Sequence, residues 1–294
     1  MTGIYDDNAK SGQPPHVLAA WIQEQLADLG EGPVRRLADL RAQLQSSAFE
    51  WDATVLAQSV GMLRSAGREL RFDNLRHGWL ARKLGKHKPI YERYVAAYDR
   101  IVNAVQKVKA EAAKLAGTIK AHAAGTKRTV VELDLEAKSL QSGVDQGVTW
   151  LQDMCVQINE LRERGSDDAE LATLAEAAQA FTLQFKSYQS ASSISSELGV
   201  RMQSLVDRRN ALVELVRTDM DKFDKTWMRP AGKIATDMKA GRNSIPGIGD
   251  AAEAHEAVMS RLDNCAESCT ALQHEEHLMA EHLDMLRREL ETRR

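Results

Sequence analysis

The feature that most constrains this chain is a run of apolar residues spaced alternately three and four apart. It reads Tyr91, Tyr94, Tyr98, Ile101, Val105, Val108, Ala112, Leu115 and Ile119 without a break. This is a heptad seam, the stripe that keeps a helix against a partner as the two supercoil. The pattern blurs from His122 to Thr129, around Gly125. It resumes with Val130, Leu133, Ala137, Leu140, Val144, Gly147, Leu151, Met154, Ile158 and Leu161. Leu133 lies two heptads after Ile119, and two separate helices would have no reason to share that phase. The spacing therefore predicts one helix over about 89–164, bent or frayed near Gly125. At ~1.5 Å per residue it would be on the order of 110 Å long.

Gly165 ends this helix, and Asp167 with Glu170 forms a capping-box pattern that opens the next one. The second seam includes Leu171, Leu174, Ala178, Phe181, Phe185, Tyr188, Ser192, Ser195, Gly199 and Met202. It continues through Val206, Arg209, Val213, Val216, Met220, Phe223 and Trp227. Two long seams joined by so short a turn predict an antiparallel hairpin. Folded about residue 166, it sets Phe185 over Gly147, Ser192 opposite Leu140, and Ser195 opposite Ala137. The serine-rich stretch SYQSASSISSELG then reads as a close-packed waist, because the heptad spacing runs through it.

Three shorter stripes come before the hairpin. Leu18, Trp21, Ile22, Leu26 and Leu29 mark a helix stopped by Gly30. Val34, Leu37, Leu40 and Leu44 mark a second, with Pro33 in its first turn. Leu56, Val60, Leu63, Gly67 and Leu70 mark a third. After the hairpin, Pro230 ends or kinks the helix, and GRNSIPGIG (241–249) is the clearest loop. Asp250 with Glu253 can cap a last helix. Its seam is Val258, Leu262, Cys265, Cys269, Leu272, Glu276, Met279, Leu283, Leu286 and Leu290. The expected fold is all-α, an elongated antiparallel bundle of long coiled-coil-like helices with a small N-terminal helical region. The expected divisions are a disordered tail (1–13), the N-terminal helical region with a basic junction (14–88) and the long-helix bundle (89–294).

Composition narrows the function classes. Aromatic residues are only 5% of the chain, low for a compact α/β enzyme. A net charge of -3 gives no reason to expect nucleic acid as a partner. Three cysteines, an odd and sparse set, do not form a secreted disulfide framework. The N-terminal stretch MTGIYDDNAKSGQPP has no apolar run of the kind a signal peptide needs, and no run approaches the length of a membrane span. The expected location is the cytoplasm, with any membrane contact peripheral. The chain carries no Walker or dinucleotide glycine pattern, no GxSxG and no CxxC. It is therefore read as non-enzymatic, with no catalytic residues and no cofactor.

Two constellations still invite chemistry. Cys265, Cys269, His274 and His277 suggest a metal or redox site, since cysteines four apart share a helix face. Packing is the stronger reading. Both cysteines fall on the seam, both histidines fall off it, and HEEH lacks the spacing of the HExxH zinc motif. The second is the basic stretch from Arg64 to Arg93, with nine Lys or Arg against Glu69, Asp73 and Glu92. Arg76, Arg82, Lys83, Lys86 and Lys88 around Trp79 could meet an anionic membrane surface. The alternative, preferred here, is a packed junction with Trp79 as its anchor.

The stretch LRHGWLARKLGKHKPIYERYVAAYDRIVNAVQKVKAEAAKL resembles the toxic-anion (tellurite) resistance family, the TelA-like proteins. The likeness lies in the hydrophobic-basic run Trp79 to Leu84, then Gly85-Lys86, then Tyr91, Tyr94 and Tyr98 opening a very long helix. It extends through DRRNALVELVRTDMDKFDKTWMRP, covering about residues 75 to 230. It departs from the family pattern around Asp134 and in the loop 241–249. The resemblance implies a cytosolic helical scaffold or adaptor linked to resistance against toxic oxyanions or envelope stress. Its protein partners are unspecified, self-association is left open, and no catalytic residues carry over. The rival readings are a structural coiled-coil protein of envelope, division or secretion machinery, and a thiol- or metal-dependent detoxifier.

Overall fold

A computed structural model describes residues 14–49, 53–72, 88–242 and 246–291. The described residues are helical and contain no strand. The helices are α1 (Pro15–Leu29), α2 (Arg35–Phe49), α3 (Thr54–Glu69), α4 (Lys88–Glu163), α5 (Asp168–Phe223), α6 (Arg229–Lys239) and α7 (Ile248–Glu291). A π turn, Gly30–Val34, joins α1 to α2, and a second, Asp224–Met228, joins α5 to α6. Among the described residues no helix is long and apolar enough to cross a membrane.

The seam of α5 is offset in part, with Leu205 and Leu212 buried where Val206 and Val213 are only half-buried, and with Ala191, Ile194 and Leu198 joining the core; the seam of α4 is largely buried as the spacing predicts. Tyr94, Ile101, Val105, Val108, Ala112, Leu115 and Ile119 line the inner face of α4, followed by Leu133, Ala137, Leu140 and Val144. The helix is continuous through Gly125, which is exposed. A single glycine costs a helix only about 1 kcal/mol relative to alanine, and the seams on either side hold the segment in place.

The end of α4 is a Schellman turn. Ser166 N–H donates to Leu161 O at 3.2 Å, and Gly165 N–H donates to Arg162 O at 3.2 Å. Gly165 takes φ +76, a conformation that side chains with a Cβ resist. Asp167 then caps α5, its carboxylate accepting from Ala169 N–H at 3.1 Å.

Three expectations need correction. Gly30 does not stop α1: its φ is -68, and the helix passes on through the π turn. Pro33 sits inside that turn, where its missing N–H breaks the regular ladder. Likewise Pro230 does not end α5; the widened turn before it carries the helix into α6. Asp250 lies in the first turn of α7 rather than at its cap. The helix begins at Ile248, and Ala251 N–H donates to Gly247 O at 3.0 Å. There Asp250 still favours the positive end of the helix dipole.

The chain forms two compact units that cut across the long helices. Of the described residues, the first takes 14–47, 125–203 and 278–291; the second takes 48–49, 53–72, 88–124, 204–242 and 246–277.

In the first unit, α4 and α5 run antiparallel. Phe185 fills the space over Gly147, where any Cβ would collide with its ring. Ser192 Oγ donates to Ala137 O at 2.8 Å, and Ser195 is fully buried. The serine stretch is thus a packed waist between helices. Leu29 of α1 leaves no room for a Cβ at Gly143, and a Cβ at Gly30 would come within 3.3 Å of the Tyr188 hydroxyl. The tail of α7 joins this unit through Ser187 Oγ, which donates to Glu289 O at 3.1 Å.

In the second unit, Tyr94 and Tyr98 of α4 donate to Ala231 O and Met228 O, each at 3.3 Å. Helix α3 lies against α7, where Arg64 and Arg68 both reach Asp263. Leu56, Val60, Leu63, Gly67 and Leu70, the full predicted stripe of α3, are buried there.

Candidate functional site

The second unit gathers the titratable groups that its helices bury. The seam of α5 brings Arg209 inward and the seam of α7 brings Glu276 inward. The two meet, with Arg209 Nε at 2.9 Å and Nη2 at 2.7 Å from Glu276 Oε1. Arg209 is only 1% exposed. A guanidinium so far from water requires a carboxylate beside it, because desolvating an unpaired charge costs several kcal/mol. Further along the same interface, Asp219 accepts from Arg261 Nη1 at 3.1 Å and from the thiol of Cys265 at 3.4 Å.

Cys265 and Cys269 are both buried in this interface. Burial first, and then the neighbouring Asp219 carboxylate, pushes the Cys265 thiol up to about 12. Burial alone pushes Cys269 up to about 11. At neutral pH each thiol keeps its proton, so neither offers the thiolate that nucleophilic or metal-binding chemistry uses. His274 and His277 are exposed, on a different face of α7 from the cysteines. The four residues singled out by sequence are therefore not brought together. Among the described residues no three His, Cys, Asp or Glu side chains converge in a way that could hold a metal ion.

A second cluster surrounds His255. Its ring lies 5.4 Å from that of Trp227 and 5.3 Å from that of Phe72, centroid to centroid. Phe223 packs on Trp227 at 5.1 Å, and Tyr94 meets Phe72 edge-on at 5.8 Å. His255 Nε2 lies 3.1 Å from Gly67 O. Burial lowers the ring's basicity below that of free histidine, outweighing the Gly67 carbonyl and Glu256, which pull the other way. Burial also raises the Tyr94 and Tyr98 hydroxyls, and the Tyr98 site adds repulsion from Asp99 and Asp224.

Sequence reasoning placed Arg209 and Glu276 on seams but did not pair them, and it missed Asp219 and His255. His255 stands three residues before Val258. Extending the α7 seam back by one step would have found it.

Of the basic candidates, Arg76, Trp79, Arg82, Lys83 and Lys86 lie outside the described residues. Lys88 is exposed at the start of α4, on the rim of a groove of about 480 Å³ shared with Tyr91, Val95, Asp99, Met238 and Lys239. Lys239 is already engaged with Asp99 at 3.6 Å. In the first unit, a hollow of about 590 Å³ opens beside the π turn, between Glu31, Arg35, Tyr188, Glu289 and Glu291. Its carboxylates outnumber its one arginine, so it suits a cation better than an oxyanion. No family model, curated protein or solved structure matches the chain.

Proposed function

We propose that this chain is a non-enzymatic helical scaffold or adaptor of the toxic-anion (tellurite) resistance type, acting in the cytoplasm through protein contacts. One observation carries the reading. The side chains with the most chemical potential are used to pack helix against helix: Cys265, Cys269, His255, Tyr94 and the Arg209–Glu276 pair are all turned into the second unit. Most charged residues of the same helices are exposed or half-buried, outside the buried stripes of each unit. Charged helix faces of this kind suit a protein that holds others in place. The family resemblance adds the link to oxyanion stress, and it rests on the residues around the start of α4.

Deleting the gene from its native host and plating on tellurite tests the reading. Sensitivity that is restored both by the wild-type chain and by a Cys265→Ala/Cys269→Ala variant supports a scaffold. Sensitivity that the folded double variant fails to restore favours a thiol-dependent detoxifier. Unchanged tellurite tolerance removes the oxyanion link and leaves the structural coiled-coil reading, in envelope, division or secretion machinery.

A further inference from the structure

His255 is held in a way that fixes where its proton must be. The carbonyl of Gly67 belongs to the last turn of α3, where helix carbonyls run out of intrahelical donors. It accepts the N–H of Leu70 at 3.1 Å and lies 3.1 Å from His255 Nε2. A carbonyl can only accept, so Nε2 carries the hydrogen and Nδ1 is the bare acceptor. Nδ1 is buried and has no hydrogen-bond partner among the described residues, and neither has the nearby Trp227 Nε1, itself a donor. Rings of Phe72 and Trp227 pack on the imidazole, and Met259 fills the space above Gly67. The neutral ring thus ties the end of α3 and the residues through Phe72 to α7 and to the Trp227 turn.

We propose that His255 is a proton-operated latch, closing the end of α3 and Phe72 onto the second unit at neutral pH and releasing them in acid. A second proton must go to Nδ1, where it finds no acceptor and places a full charge among aromatic rings. Three influences favour the charged ring: the Gly67 carbonyl, Glu256 on the same helix, and the faces of Phe72 and Trp227. Burial opposes them and is the larger effect. Among the charged and titratable groups on the elements packed here, Arg64 and Arg68 of α3 hold Asp263, Arg100 of α4 holds Glu69 of α3, Lys109 of α4 holds Asp224, and Tyr94 and Tyr98 donate to backbone carbonyls. His255 is 9% exposed, so a small outward swing hydrates the charged ring and lets go of Gly67 and Phe72 together.

The sign follows from the neutral ring being preferred in the folded chain. The latch contributes its full stability above the ordinary imidazole value of 6.5 and loses it as pH falls from there toward the depressed folded value. Hydrogen exchange on the full chain at pH 7.5 and 5.5, corrected for intrinsic rates, reads this directly. Amides of residues 63–72 should exchange faster at pH 5.5 by about threefold or more, and those of 181–195 should not. His255→Phe should remove the difference. Unchanged or slower exchange at pH 5.5, or equal acceleration in the folded variant, overturns the latch. A direct NMR titration of the wild-type His255 ring covers a variant that does not fold. Protonation below free histidine supports the proposal, and protonation at or above it refutes it.

Discussion

The two compact units draw on the same three long stretches of helix, yet they are packed by different means. The first is fitted by shape: Phe185 over Gly147, Leu29 over Gly143, Tyr188 against Gly30, and two buried serines at the waist. The second has shape fits too, Met259 over Gly67 and Tyr98 over Gly232, but adds charge and ring chemistry: Arg209 with Glu276, Asp219 with Arg261 and Cys265, His255 among Phe72 and Trp227. A heptad seam asks only that a position turn inward; it does not say how the space there is filled. A shape fit is sensitive to added volume, and a buried charge pair to the loss of a partner.

The comparison breaks most sharply at Glu276. Replacing it with alanine takes away the carboxylate that Arg209 contacts while leaving the guanidinium buried, at a cost of about 3–5 kcal/mol. Denaturant unfolding would measure this, and Arg209→Met in the same chain should recover most of the loss. Recovery smaller than about 1 kcal/mol would mean the pair is not the main term.

Next in size is the thiol contrast between the units. Cys155 is exposed in the first unit, whereas Cys265 and Cys269 are buried in the second. A thiol reagent on the native chain should label Cys155 faster than either of the others by on the order of 100-fold. Moving from pH 7 to pH 9 should leave the two slow thiols slow, since they ionise only near about 12 and about 11. Rapid labelling of all three would refute the buried assignment.

The smallest effect is expected at Gly147. Alanine there collides with the Phe185 ring, and overpacking of this kind costs about 1–3 kcal/mol. Combining it with Phe185→Leu should return part of the stability, as judged by the thermal midpoint. If Gly147→Ala is neutral, the first unit adjusts more freely than its contacts suggest.

Much of the fold could be read from spacing alone, because a seam of three and four is a direct image of a helix face. The turn at Gly165, the cap at Asp167 and the Phe185–Gly147 fit all follow from one seam meeting another. The π turns were not legible. Glycine and proline close together normally mark a helix boundary, and only the structure shows Gly30 continuing a helix with the Tyr188 hydroxyl close beside it. The polar fits were half legible. Arg209 and Glu276 each announced themselves by a charge on an apolar stripe, but pairing them requires the register of α7. That register lies beyond a loop whose length fixes nothing. Asp219 sits beside Met220, which the period had already assigned to the core, so its own burial was masked by its neighbour.

The π turn between α1 and α2 separates two quantities that an ordinary helix locks together, chain length and the direction a stripe faces. Between the buried residues Leu29 and Val34 the interval is five, where a regular stripe allows three or four. An extra residue has in effect been swallowed as a wider coil of the spiral, with no loop thrown out to hold it. The helix behaves there like a vernier: Leu18 to Leu29 keep one setting, Leu37 to Leu44 keep another, and both still face inward.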